Sequence, residues 1–183
     1  MRDYGKVACK AWHGATFKAL RKKGPKALVV ALYLMTSPSS NMLGLFSQPV
    51  LYMAHETGLG LEGATEGLRM CIEAGFCGYD EDSEHVWVYE MAKYQIADEL
   101  KATDLRCKGV QKEYDGLPEN PFLGAFFDRY SKVFHMTNKR PHIAPVATGL
   151  EAPSKPLPSQ EQEQEQEQEQ KQEQKDTPHT PKG

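Results

Sequence analysis

The sequence predicts a mainly helical α+β fold with one small β-hairpin, in the element order of a winged helix-turn-helix. Three observations carry that prediction. Residues 27–35 form a run that is apolar nearly all round, as expected of a buried central helix. Two helical patterns between Pro49 and Gly75 are separated by the tight turn Thr57-Gly58-Leu59-Gly60. Two β-rich runs, residues 76–79 and 85–89, then flank the polar stretch Asp80-Glu81-Asp82-Ser83-Glu84, which reads as a hairpin and supplies the wing.

Taken in order, residues 4–8 suit a short extended segment, and Trp12 and Phe17 are the expected anchors. Thr16 is the expected cap of a helix through Lys23, with Phe17 and Leu20 inward and Lys18, Arg21 and Lys22 outward. Pro25 opens the central helix, where its missing N–H does no harm. Pro38 moves Ser37 out of the α region and the surrounding Ser/Asn cluster favours turns, so that helix stops and a strand over residues 42–46 follows. Pro49 opens a second helix over residues 50–56, and Gly58 closes it where a left-handed residue is wanted. A third helix over residues 61–74 places Leu61, Ala64, Leu68, Cys71 and Ile72 on the core side. Glu62, Thr65, Glu66, Arg69, Met70 and Glu73 face out.

Residues 90–96 fit either a short helix or a continued strand, with Met91, Tyr94 and Ile96 closing the core. Thr103 is the expected cap of a polar helix to about Asp115, whose apolar residues are Leu105, Val110 and Tyr114. From residue 121 to 136, Phe122, Phe126, Tyr130 and Phe134 recur at i+4 beside Leu123, Phe127 and Val133, a broad aromatic stripe. Such a stripe must be covered. Either it folds back on the winged domain, or Phe122, Phe126, Phe127 and Tyr130 form a surface for a partner or for self-association. Past Thr137 come scattered prolines, then strict Gln/Glu alternation over residues 160–170, a composition that buries no core and predicts a disordered tail. The expected organisation is therefore a winged domain at 1–96, a helical extension at 97–136 and a tail at 137–183.

The 183 residues have a formal charge of -3, but the charge is unevenly placed. Arg2, Lys6, Lys10, Lys18, Arg21, Lys22, Lys23 and Lys26 are opposed only by Asp3 within the first 26 residues. A local excess of this kind attracts phosphate even in a slightly acidic protein. Cys9, Cys71, Cys77 and Cys107 contain no CxxC pair, which argues against a zinc site or a disulfide scaffold and for reduced thiols in a cytoplasmic protein. The start of the chain lacks the apolar core of an export signal, and no apolar run approaches membrane-spanning length. The six histidines show no metal spacing, and His55-Glu56 lacks a second histidine at the required step. No nucleophile elbow or Gly-rich phosphate loop appears, so no enzyme activity and no cofactor is expected.

Three surfaces are candidates for DNA. On the third helix, Arg69 suits guanine and Thr65 a thymine methyl, although Glu62, Glu66 and Glu73 share that helix. The wing tip is acidic and repels phosphate. The basic segment Lys18, Arg21, Lys22, Lys23 and Lys26 fits a phosphate footprint, with Ser37, Ser39, Ser40 and Asn41 as neutral additions.

Several strings are specific beyond the element order: Tyr4-Gly5-Lys6-Val7, Tyr33-Leu34-Met35-Thr36-Ser37-Pro38, Asn41-Met42-Leu43-Gly44-Leu45, Tyr52-Met53-Ala54-His55-Glu56-Thr57-Gly58 and Gly75-Phe76-Cys77-Gly78-Tyr79. Over about residues 4–96 the chain resembles the N-terminal winged-helix domain of phage and prophage replication proteins of the DnaD-like, or replisome-organiser, group. That resemblance implies binding to origin or single-stranded DNA and recruitment of the replicative helicase or its loader in a bacterial host cell. It transfers no catalytic residue. A winged-helix transcriptional regulator, and a protein-interaction module on the same scaffold, are the alternative expectations.

Overall fold

The structure, a computed structural model, describes residues 4–140. An extended start and a turn of 3-10 helix at Cys9–His13 lead into α1 (Ala15–Lys23) and α2 (Pro25–Thr36). Then follow β1 (Leu45–Ser47), α3 (Val50–Thr57), α4 (Gly60–Glu73), β2 (Cys77–Asp80) and β3 (His85–Val88). The later helices are α5 (Met91–Gln95), α6 (Arg106–Asp115) and α7 (Leu123–Tyr130). The described chain is mostly helical, with one small antiparallel sheet in the order β1-β3-β2.

Successive side chains of a strand point to opposite faces, and here both faces are covered. Val86 and Val88 join Phe46 and Cys77 in a core with Phe17, Leu20, Val30, Leu34, Met53 and Leu68 from the first four helices. Trp87 and Leu45 turn the other way, into a second core with Val110, Tyr114, Leu123, Phe126, Tyr130 and Phe134. Every residue of β3 is consequently buried. The hairpin is the middle layer of the fold, and only its acidic tip, where Glu81, Asp82 and Glu84 are exposed, projects into water.

Helices α2 and α4 meet closely because α4 is bare where they touch. A Cβ on Gly67 would lie 2.7 Å from Val30 Cγ2 and 2.9 Å from the Lys26 carbonyl oxygen. One turn on, Cys71 Sγ donates to the Ala27 carbonyl at 3.3 Å. Gly58 caps α3 in the left-handed region, as expected for that turn.

Several local expectations are corrected. Gly14, not Thr16, precedes the first residue of α1, and no side chain caps it. β1 begins at Leu45 rather than at residue 42, because Asn41 brackets Leu45: its Nδ2 donates to the Leu45 carbonyl at 2.6 Å and its Oδ1 accepts from the Leu45 N–H at 3.3 Å. Helix α2 is not buried all round, since Val29 is partly open to water. Leu61 is 55% exposed, and the buried stripe of α4 starts instead with Gly63 and Ala64. Residues 91–95 are helical, with Met91 buried and Tyr94 largely exposed. α6 begins at Arg106, later than a Thr103 cap would place it, and Asp104 accepts the Arg106 N–H at 2.9 Å. Leu105 is exposed there while Cys107 takes the inward position.

The aromatic stripe is not one helix. α7 ends at Tyr130, and a turn carries Phe134 and Met136 back into the second core. Trp87 receives Phe122 and Phe126 at ring-centroid distances of 6.2 and 6.1 Å, and Tyr130 stacks on Phe134 at 5.2 Å. The chain stays fastened beyond residue 137: Gln111 Oε1 accepts the Thr137 N–H at 2.8 Å, and the Arg140 guanidinium bonds the Leu117 carbonyl. The Pro-rich stretch and the Gln/Glu repeat lie outside the described residues. No helix among the described residues is long and apolar enough to cross a membrane.

Candidate nucleic-acid interface

The basic candidates divide into two groups according to what α4 does to them. Lys18, Arg21 and Lys22 stand at i, i+3 and i+4 on α1, so they share one exposed face opposite the buried Phe17 and Leu20. Among the described residues none of these three forms an ion pair. Lys23 and Lys26 are different. Lys23 Nζ lies 2.7 Å from Glu73 Oε2, and Lys26 is paired with Glu66. Arg69, the base-reading candidate, is also paired with Glu73 one turn along its own helix.

These contacts perturb titration in the direction expected of ion pairs. The hydrogen bond to Glu66, and then its charge, hold the Lys26 ammonium above its ordinary value. Reciprocally, the bond from Lys26 lowers the Glu66 carboxyl, and the bond from Lys23 lowers that of Glu73. All these side chains are at least a third exposed, so water screens each pair and a polyanion can compete for the cations.

Other candidates are engaged locally. Asn41 is held in place by its two bonds to Leu45, which engage its amide oxygen and one of its two N–H donors. Thr65 is exposed, but its hydroxyl donates to the Leu61 carbonyl one turn back at 2.8 Å. Ser37 and Ser40 are buried, with Ser37 Oγ donating to Gln48 Oε1 at 3.3 Å, which leaves only Ser39 of that cluster in water. The candidate face that geometry leaves without a carboxylate partner is therefore the outer face of α1, bordered by the paired Lys23 and Lys26.

Phe126 and Tyr130 are buried inside the second core, and Phe122 and Phe127 are partly buried against it. Phe126 and Tyr130 are therefore taken up by the fold, as the first expectation for the stripe has it, while Phe122 and Phe127 keep part of their surface in water. The larger exposed apolar side chains are elsewhere, with Leu51 at 65% and Tyr52 at 60% on α3. Sequence periodicity missed them because α3 is too short for its faces to be assigned from eight residues. Among the described residues no three of His, Cys, Asp and Glu gather as metal ligands.

Compared with protein-family models, with curated proteins and with solved structures, the chain gives no match.

Proposed function

We propose that the chain is a phage or prophage replication accessory protein that binds DNA along its phosphate backbone through α1, on a winged-helix scaffold. The element order α2, β1, α3, α4, β2, β3 supports the scaffold reading. The single observation that carries DNA binding is the exposed cationic face of Lys18, Arg21 and Lys22, which among the described residues has no carboxylate partner. In this reading α4 does not read bases. Its Arg69 is tied to Glu73, and Glu62 and Glu66 would face the groove. Binding is consequently tolerant of sequence, as phosphate contacts carry no base information. The protein acts in the cytoplasm without enzymatic chemistry or cofactor, and its protein partner is a replicative helicase or helicase loader.

The test is a titration of single- and double-stranded DNA at two salt concentrations. The native protein should bind with a salt slope of about -2 to -3, from roughly 0.7 to 0.9 per phosphate contact, and a Lys18, Arg21, Lys22 to Ala variant should lose that slope. Absence of binding at low salt removes the reading.

A second reading is favoured by the acidic outer face of α4 and the exposed Leu51 and Tyr52. It makes the same scaffold a protein-interaction module. Binding of a protein partner that Leu51→Ser abolishes, together with no affinity for DNA, would select it.

A further inference from the structure

A cavity of about 480 Å³ lies between an N-terminal strap, residues 6–11, and the body of the fold. Its apolar walls include Val7 and Ala11 from the strap side and Phe17, Met35, Phe76 and Met91 from the body. The strap is held across it by the side chain of Gln95, which imitates a strand partner. Gln95 Oε1 accepts the Lys6 N–H at 3.1 Å, and Gln95 Nε2 donates to the Lys6 carbonyl at 2.9 Å. Volume and apolar lining both fall in the range of pockets that take small organic molecules.

The polar groups around the cavity set the class of ligand. Glu90 is ion-paired with Arg129, whose guanidinium also lies 5.8 Å from the ring centroids of Trp87, Tyr89 and Tyr130. That pair is electrically closed. Lys6 is exposed at the mouth, and its ammonium bonds the Gln95 carbonyl at 3.2 Å and, among the described residues, no carboxylate. An ammonium has three donors, so two remain for a ligand. The chamber thus combines an apolar interior with one excess positive charge at its opening.

We propose that this cavity binds a small apolar carboxylic acid, its acyl or aryl part beneath the strap and its carboxylate on Lys6. The assignment is independent of DNA binding, because neither Lys18, Arg21 nor Lys22 lines the cavity.

Calorimetric titration of the full chain with decanoate below its micelle concentration, and with 1-decanol as the neutral comparison, tests the site. Decanoate should bind saturably with one site per chain, about tenfold tighter than decanol, the order expected of one charge-assisted contact at an exposed mouth. Lys6→Gln should remove the difference between the two probes. Ala11→Trp should fill the chamber and abolish both, with far-ultraviolet circular dichroism verifying the fold. If Ala11→Trp unfolds, Ala8→Trp fills the cavity from a second lining position on the strap. No saturable binding of decanoate, equal affinity for the two probes, or binding undiminished in the folded filling variant overturns the proposal.

Discussion

Lys23 on α1 and Glu73 at the end of α4 are 50 residues apart in sequence and 2.7 Å apart in the fold. The same carboxylate also holds Arg69. One acidic side chain therefore occupies two cations that would otherwise face a polyanion, and the balance between these partners and phosphate can be measured.

Glu73→Gln releases both cations. Affinity for DNA at low salt should rise by about threefold to tenfold, and the salt slope should steepen by up to about 2, as two further phosphate contacts become possible. Fluorescence anisotropy of labelled duplex at several salt concentrations reads both quantities. Unchanged affinity would mean that neither cation reaches the nucleic acid.

The acid dependence follows from the lowered carboxyls. Glu66 and Glu73 lie below their ordinary value of 4.5 in the folded chain. A depressed carboxyl contributes stability that is present above its unfolded value and is lost as pH falls through the folded one. The contribution is thus constant from pH 7 down to about 5 and disappears only below 4.5. Thermal midpoints of the native chain and of Glu66→Gln, Glu73→Gln should differ at neutral pH and converge in acid. Convergence already at pH 6 would contradict the pairing.

Gly67→Ala tests the α2–α4 contact. Alanine is the better helix former, yet its methyl group would meet Val30 and the backbone oxygen of Lys26 below 3 Å. Overpacking should dominate, with a loss of about 1–3 kcal/mol in urea unfolding. Adding Val30→Ala should recover only part of it, because the second obstacle is main chain.

Phe126→Ala removes a fully buried ring that lies 5.8 Å from Tyr114 and 5.0 Å from Tyr130. The expected cost is about 3–5 kcal/mol, characteristic of core aromatics. DNA affinity of the folded fraction should be unaltered. A near-neutral change in stability would return the aromatic stripe to the surface.

Thiol reactivity reports the burial of the cysteines. Cys9 is exposed, whereas burial pushes the Cys71 thiol up to about 12 and raises Cys77 well above its ordinary value. A disulfide reagent should titrate one thiol rapidly in the native protein, and all four cysteines only after unfolding. Rapid reaction of Cys71 or Cys77 would show that α4 and β2 separate from the body more readily than their packing implies.

Much of the helical frame was legible because its signals are local. Pro25, Pro49 and Gly58 mark boundaries by backbone chemistry that neighbours cannot easily override, and α2, α3 and α4 lie within a residue or two of where those signals put them. Where the prediction slipped, a short-range bond had intervened. Asn41 turns the chain before β1, and Asp104, one residue past the threonine expected to cap α6, accepts the N–H of its first residue. The candidate site was legible only as composition. Five cations near the beginning were visible, but which of them stay free depends on α4.

By itself the sequence determined the order and kind of the elements from α1 to β3, the inward residues of α1, and the need to cover the rings from Phe122 to Phe134. Only the tertiary structure decided that Phe122 and Phe126 lie on Trp87, that β3 is buried on both faces, and that Lys23 and Lys26 are paired while Lys18, Arg21 and Lys22 are not. The reason is one of range. Helical spacing and turn chemistry act over a few residues, whereas packing and charge pairing join side chains 40 or 50 positions apart, and no pattern along the chain specifies which carboxylate will meet which ammonium.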